Sequence, residues 1–263
     1  MFSSFAGKSG IITGAAGGIG RAVAVRLAQA GANLTLVDRN QAALDELRQD
    51  LASHSVKVSC VVADVTDEES VVKYVREALS QSGGIDFFFN NAGIEGPMRT
   101  VFDFDSADFD KVISVNLKGV FLGLRHVLPH MIKQGSGAVV NTGSLASERG
   151  LTGSIAYSAA KHGVLGITRV SAADLVGTAV RVNCVLPGMV DTPMLRKIIN
   201  ETFGGDMEAG LKGMGSVAPM KRIAQPDEVA SAVVFLLSDE ASFINGVGLP
   251  VDGGTLAVVP YNG

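Results

Sequence analysis

Tyr157 and Lys161 stand four residues apart in the run Tyr157-Ser158-Ala159-Ala160-Lys161. On an α-helix that spacing puts both side chains on one face. A free phenol has a pKa near ~10 and accepts a proton poorly at neutral pH. A fixed cation beside it favours the phenolate and lowers that value. In a cleft, such a phenol carries a proton to or from a substrate oxygen. On a solvated surface the same pair only supports its helix, so the surrounding elements have to decide.

A second group of residues has the composition of a phosphate cradle. The apolar run Gly10-Ile11-Ile12-Thr13 reads as a strand, and Arg21 to Ala30 has the apolar periodicity of a helix. Between them lie Gly14, Gly18, Ile19 and Gly20. A diphosphate needs backbone N–H groups, the positive end of a helix and no Cβ in the way. The glycines meet those needs, although three residues separate the first two, unlike the G-x-G-x-x-G fingerprint. The next strand, Asn33 to Asp38, ends in an acid about twenty residues on, where a ribose-binding carboxylate is expected. Strand, glycine turn, helix and acid together predict a dinucleotide site.

The bulk properties bound the rest. The 263 residues are 47% hydrophobic and 18% charged, with a net charge of −4 and no long basic block. Such a balance argues against nucleic acid as the main partner. A chain of this size buries roughly three quarters of its unfolded surface and needs no metal or disulfide. Cys60 and Cys184 read as buried thiols in a reducing compartment. His54, His126, His130 and His162 have no zinc-ligand spacing, so no metal site is expected. There is no basic, apolar leader and no run near the roughly twenty apolar residues of a membrane span, which predicts a cytoplasmic protein.

Positioning these residues falls to alternating strands and helices. Further strands are expected at 58–64, 85–91, 138–144 and 180–186, and further helices near 40–52, 67–82, 106–134 and 154–177. The strands are apolar throughout, as strands covered on both faces tend to be. Repeated βα units predict an α/β fold: one doubly wound, Rossmann-like parallel sheet with helices on both faces, in a single domain over 1–263. One stretch breaks the alternation. Residues 188–225 hold five of the eight methionines (189, 194, 207, 214, 220) and glycines at 204, 205, 210, 213 and 215. Adaptable Met and permissive Gly predict a mobile lid over an apolar pocket.

The motifs also occur in a familiar order: Thr13-Gly-x3-Gly-Ile-Gly20, Asp64-Val65, Asn90-Asn91-Ala92-Gly93, Asn116, Ser144, Tyr157-x3-Lys161, Pro187-Gly188 and Asp252-Gly253-Gly254. In that order the chain resembles the short-chain dehydrogenase/reductases from Ser9 to about Gly254. The resemblance implies a catalytic group of Asn116, Ser144, Tyr157 and Lys161. Tyr157 exchanges the proton with the substrate oxygen, and Lys161 lowers its pKa and binds the nicotinamide ribose. Ser144 donates to the same oxygen, and Asn116 holds a water linking Lys161 to solvent. For the cofactor, the resemblance implies Asp64 and Val65 at the adenine, with Asn91, Ala92 and Gly93 at its ribose. Pro187, Gly188, Val190 and Thr192 then pass the nicotinamide. A carboxylate at Asp38 accepts from both ribose hydroxyls and repels a 2′-phosphate, so NAD is expected. Gly17, where NADP enzymes commonly carry a base, agrees with this; Arg39 is a contrary sign.

The expected reaction interconverts a secondary alcohol and a ketone, with a mostly apolar and possibly cyclic substrate. Glu95, Ala146, Leu151, Met189, Met194 and Leu195 are the expected pocket wall. Glu95 or Glu148 is a candidate for a second polar contact, and both read equally well as solvated. A 3-oxoacyl-carrier-protein reductase shares the motifs, but Asp38 and the acidic charge speak against it. Sugar-nucleotide epimerases are longer, and a non-catalytic NAD-binding regulator has no use for the catalytic group. The family also implies a homo-oligomer, a dimer or tetramer packed through the 106–134 and 154–177 helices, with a closing strand near Gly248–Asp252 and a further contact from the C-terminal tail.

Overall fold

The computed structural model describes residues 5–258. Seven strands form a single parallel sheet: β1 (Ser9–Thr13), β2 (Asn33–Asp38), β3 (Val58–Val62), β4 (Phe87–Asn90), β5 (Gly137–Thr142), β6 (Val180–Pro187) and β7 (Gly248–Val251). Their order is β3-β2-β1-β4-β5-β6-β7, with every neighbouring pair parallel. The direction of winding reverses between β1 and β4, and in such sheets the ligand crevice opens beyond the carboxyl ends of the strands at that point.

Helices cover both faces because adjacent strand residues point opposite ways. Ile12, Phe87, Phe89 and Val140 face one side. There they meet α1 (Gly18–Gln29), α2 (Gln41–Asp50) and α9 (Pro226–Leu237) through Val23, Leu27, Leu44 and Val233. Ile11, Phe88, Val139 and Val182 face the other. Their partners are α3 (Glu68–Ser82), α5 (Gly119–Gln134) and α6 (Ile155–Asp174), through Val71, Tyr74, Val120 and Val164. The three consecutive phenylalanines of β4 are all fully buried because the strand is covered on both sides. This doubly wound α/β sheet is the fold that the patterning predicts.

Several elements differ from the sequence expectation. The helix expected over 106–134 is α4 (Ser106–Ile113) and α5 joined by a widened π turn, Ser114–Lys118. Residues 188–225 are not irregular throughout. They form α7 (Pro193–Thr202) and α8 (Met207–Gly215), joined by a turn in which Gly204 and Gly205 take positive φ. Helix α9, which no periodicity argument picked out, is apolar nearly all round. The closing strand is present as β7, whereas the expected contact from the last residues of the tail lies outside the described residues. Among the described residues, no helix is long and apolar enough to cross a membrane.

Candidate active site

The residues after each central strand converge on a cavity of about 510 Å³. After β1 come Gly14, Gly18 and Ile19; Asp38 closes β2; after β4 come Asn91, Ala92, Gly93 and Glu95. After β5 comes Ser144, and after β6 come Pro187, Gly188, Val190 and Thr192. Tyr157 and Lys161 enter from α6. Sixteen residues were expected to bind cofactor and four to catalyse; most of them line this one space. Gly20, Asp64, Val65 and Asn116 do not, and each has a different position.

Gly20 shapes the turn from behind. A Cβ built on it would lie 2.1 Å from the carbonyl oxygen of Gly14. Gly14 and Gly18 hold positive φ values of 61° and 39°, which L side chains rarely adopt. The glycine turn therefore keeps its backbone N–H groups open at the start of α1, the arrangement that receives a phosphate. Asp38 braces the same turn, accepting from the backbone N–H of Ala16 and of Asn40, each at 3.1 Å. A dinucleotide cofactor fits this cradle.

Asp64 and Val65 sit beside the cavity. Asp64 accepts from the Thr66 backbone and hydroxyl at 2.9 and 2.8 Å, and the backbone bond leads in holding its carboxyl below the usual range. Arg39 lies 3.6 Å from it. Val65 packs closely over Gly119.

A chain of polar contacts that sequence reading missed links the glycine turn to Lys161. The Thr13 hydroxyl accepts from the backbone of Asn91 and Ala92 at 2.9 and 3.1 Å. The Asn91 amide donates back to the carbonyls of Thr13 and Gly14 at 3.1 and 3.2 Å. The Thr142 hydroxyl donates to Asn91 Oδ1 at 3.0 Å, and the Thr142 carbonyl accepts from Lys161 Nζ at 2.7 Å. Ser147 fastens the neighbouring loop. It accepts from the Ser144 backbone at 3.1 Å and donates to the Lys161 carbonyl at 2.8 Å.

Asn116 is fully buried in the π turn, and its side chain is committed. Its Oδ1 accepts from Ile94 N at 2.8 Å and its Nδ2 donates to Ile94 O at 2.7 Å. That clamp fixes the loop that carries Gly93 and Glu95.

The electrostatics differ from the simple expectation for a Tyr–Lys pair. Lys161 Nζ lies 5.5 Å from the centre of the Tyr157 ring and donates to the Thr142 carbonyl. Burial pushes the Tyr157 phenol up, the Glu95 charge adds to this, and a hydrogen bond with Ser144 opposes it. Burial pushes Lys161 down to about 8, with Cys184 and Glu95 pulling the other way. Desolvation is the leading influence on both groups.

The wall beyond the phenol is mostly apolar. Leu151, Met189, Met194 and Leu195 line it as expected, together with Ile198 and Met214. Ala146 does not; it is fully buried behind Ser144. Of the two carboxylates considered, Glu95 lines the cavity and Glu148 is exposed outside it. Cys184 is buried and Cys60 only half-buried. No cluster of three metal-ligand side chains occurs among the described residues.

A family profile described as enoyl-(acyl carrier protein) reductase matches residues 14–255. The levodione reductase of Leifsonia aquatica is 44% identical over 249 residues, covering 94% of this chain and 93% of that one. The chain belongs to the short-chain dehydrogenase/reductase family. Cis-4-hydroxycyclohexanecarboxylate dehydrogenase of Sinomonas cyclohexanicum is 40% identical over 258 residues, covering 98% of this chain and 100% of that one. The solved structure of an NAD+-bound xylitol dehydrogenase superposes with a TM-score of 0.91 at 36% identity, covering 96% and 100% of the two chains. The family is one of oxidoreductases that use a nicotinamide cofactor, in keeping with the glycine turn and Asp38.

Proposed function

We propose that this chain is an NAD-dependent dehydrogenase that interconverts a small, mostly apolar and cyclic secondary alcohol with its ketone. The observation that carries this reading is the convergence of Ser144, Tyr157 and Lys161 on a cavity with Asp38 at one end and methionine and leucine side chains at the other. The relatives' names, levodione reductase and hydroxycyclohexanecarboxylate dehydrogenase, point to cyclic substrates.

Gly14, Gly18 and Ile19 receive the cofactor diphosphate, Asp38 and Asn91 to Gly93 flank the adenosine, and Pro187 to Thr192 flank the nicotinamide. Asp64 and Val65, beside the cavity, would flank the adenine. The bound nicotinamide supplies the hydride for ketone reduction and accepts it in alcohol oxidation. Tyr157 holds its proton firmly, which suits it to donate to a carbonyl oxygen. Ser144 accepts from Ala146 N at 3.1 Å, leaving its own hydroxyl hydrogen for the substrate oxygen. Lys161, anchored on Thr142, supplies positive charge next to the phenol ring as the proton leaves. In the oxidative direction Tyr157 must first lose its proton, so oxidation gains from alkaline pH. Asn116 holds the Ile94 loop and offers its backbone to a relay water.

Asp38 supports NAD over NADP, since a 2′-phosphate there would meet a carboxylate already held toward the glycine turn. Arg39 is 71% exposed and leans on Asp64. The cavity lining carries two carboxylates and a single cation, Lys161, which does not favour an acidic carrier protein as substrate. Residues 188–225 serve as the cover of the pocket within one domain. Phe109, Phe121 and Val170 are exposed on α4, α5 and α6, which favours a homo-oligomer packed through those helices. Two free thiols fit a reducing, cytoplasmic setting.

The test follows reduced-nicotinamide absorbance with NAD and NADP separately, against cyclic and linear secondary alcohols and ketones. NAD-linked turnover is expected, falling about 10²- to 10⁴-fold in Tyr157→Phe. Asp38→Ala should move the NAD/NADP ratio of kcat/KM toward NADP by at least about tenfold, the effect of losing one charge repulsion. Equal or better use of NADP by the wild type would remove the NAD assignment. Tight NAD binding without turnover would make the chain a cofactor-binding regulator instead.

A further inference from the structure

The catalytic loop and the substrate cover are joined by an element to which the mechanism gives no work. Strand β7 ends at Val251, and residues 252–257 then form a compact turn held from within by Asp252. Its Oδ1 accepts from Gly254 N at 2.9 Å, its Oδ2 from Leu256 N at 2.6 Å, and its carbonyl from the Thr255 hydroxyl at 2.7 Å. Hydrogen bonds fix distances, so a turn braced in this way moves as a unit.

Three contacts lay that unit across the rim of the cavity. At its base, Gly188 N donates to Val251 O at 3.0 Å, and a Cβ on Gly188 would lie 2.8 Å from Asp252 Cα. On the cover side, Met220 N donates to Gly253 O at 3.3 Å, and a Cβ on Gly254 would lie 3.3 Å from the Pro219 ring. Behind that stretch, a Cβ on Gly215 would lie 3.0 Å from Arg222 Cα, beside Met214 in the cavity wall. On the catalytic side, the Arg149 guanidinium donates to the carbonyls of Leu256 and Val258 at 3.2 and 3.3 Å. Arg149 is half-buried and follows directly on the Ser144 turn, its own N–H donating to Leu145 O at 3.2 Å. Leu151 and Thr152, just beyond it, line the cavity. A guanidinium drawn partly out of water and spent on two carbonyls of one segment makes a strong, directed tie.

We propose that the 252–257 turn clasps the substrate cover to the catalytic loop, with Arg149 as the positioning residue that latches it. The proposal goes beyond the dehydrogenase reading and rests on it only for the kinetic half of its test. With the latch made, Ser144, Leu151 and Met214 keep their separations around the substrate. Without it, the turn parts from the catalytic loop and carries the cover with it. Apparent affinity then falls with the fraction of molecules in the closed state, whereas saturating substrate restores that state. The signature of the latch is therefore a higher substrate KM with kcat and cofactor affinity retained. An arginine that only supports the fold lowers the melting temperature and leaves KM alone.

The experiment uses Arg149→Met, which loses every donor, and Arg149→Lys, which keeps a charged one. Gly254→Ala strains the turn from the cover side, where φ is +89°. Hydrogen exchange on the cofactor-free protein reads the latch without any substrate. Amides of 214–222 are expected to exchange at least about tenfold faster in Arg149→Met, the weight of a hydrogen bond to a charged group, and to recover in part in Arg149→Lys. Amides of the glycine turn should not change. With NADH and cyclohexanone, KM for the ketone should rise about three- to tenfold in Arg149→Met and in Gly254→Ala, with kcat and the NADH Kd within about twofold. Because both variants act on one turn, the double variant should raise KM by less than the product of the single effects. Wild-type exchange at 214–222 in Arg149→Met overturns the clasp. A wild-type KM in Gly254→Ala does so too, even where Arg149→Met fails to fold. If exchange responds to Arg149 while no cyclic ketone is reduced, the clasp stands and the dehydrogenase reading falls. Reduction of cyclohexanone with a KM indifferent to Arg149 has the opposite meaning.

Discussion

The two sides of the cavity are held by different forces. On the cofactor side, Thr13, Asn91, Thr142 and Lys161 join three strand ends and a helix through hydrogen bonds, nearly all of them to backbone atoms. On the opposite side, residues 188–225 are tied at their base, where Asp191 N donates to Ala224 O at 2.9 Å and Ala224 N to Met189 O at 2.8 Å, and near their end, where Met220 N donates to Gly253 O at 3.3 Å and Arg222 pairs with Glu228. Between those anchors, α7 and α8 meet through apolar packing: Gly210 against Ile199 and Gly213 against Phe203. Hydrogen bonds fix distances and tolerate little displacement, whereas flexible methionines re-pack around different shapes. A site divided in this way holds a constant cofactor on a rigid half and an individual substrate on an adjustable one.

The sharpest way to break this contrast is to add one methyl group to each side. On the rigid side, Gly20→Ala puts a Cβ against the Gly14 carbonyl, a backbone atom that cannot move without reshaping the turn. Overpacking of this kind costs about 1–3 kcal/mol. NAD affinity, read by fluorescence titration, should drop by about ten- to a hundredfold. Gly17→Ala is the control, since open space surrounds that position and its φ is −118°. Its NAD affinity should stay within about twofold, the scale of a few tenths of a kcal/mol at a helix N-cap. Equal losses in both variants would mean that the turn is not a shaped cradle.

On the adjustable side, Gly210→Ala meets the Cγ2 of Ile199 at 2.1 Å, a side-chain atom. Ile199 is fully buried, so relief comes from a small separation of α8 from α7. Leu195 and Ile198 line the cavity from α7, and Met214 from α8, so the substrate wall should shift while the glycine turn does not. KM for a cyclic ketone is expected to rise about three- to tenfold, near the low end of the overpacking range, with NAD affinity unchanged. A matching loss of NAD affinity would show that the two halves are mechanically one.

The same division governs what was legible in the sequence. Strand β2 was read to the residue, and the glycine turn and Asp38 were found, because local patterning and spacing specify them. The Thr13–Asn91–Thr142–Lys161 connection was not legible, since its members lie up to 148 positions apart and only strand order brings them together. Spacing put Tyr157 and Lys161 on one face but said nothing of the direction in which the ammonium points, so burial's effect on both groups was missed. Helices α7 and α8 were obscured by their glycines, although Thr192 before Pro193, and Asp206, are good N-caps and act as such. Helix α9 carried a legible signal too: Gln225 and Glu228 form a capping box with Pro226 between them. The glycines of the supposed lid divide by role. Gly204 and Gly205 make the turn, whereas Gly210 and Gly215 are there because neighbouring atoms leave no room for a Cβ.

Where the two halves meet, Glu95 and Lys161 give the most specific effect. Folding raises Glu95 from the ordinary carboxylate range to about 7, chiefly by burial. Between pH ~4.5 and ~7 the unfolded chain has released this proton while the folded chain still holds it. The folded state then binds more protons, so this group's contribution to stability falls as pH rises through that window. Lys161 behaves in the opposite sense and in a different window. Its folded value is lowered to about 8, so its contribution rises with pH from about 8 toward the ordinary lysine value. Glu95→Gln keeps the shape of the protonated carboxyl but cannot ionise. Its melting temperature should match the wild type near pH 4 and exceed it by about 5–10 °C near pH 7.5, since a carboxyl raised to about 7 loses ~3 kcal/mol on ionising and each kcal/mol shifts a chain of this size by about 2–4 °C. Differential scanning calorimetry at the two pH values reads the gap directly. A constant gap at both would mean that Glu95 is ionised throughout and solvated, and that the rigid half of the site ends at Gly93.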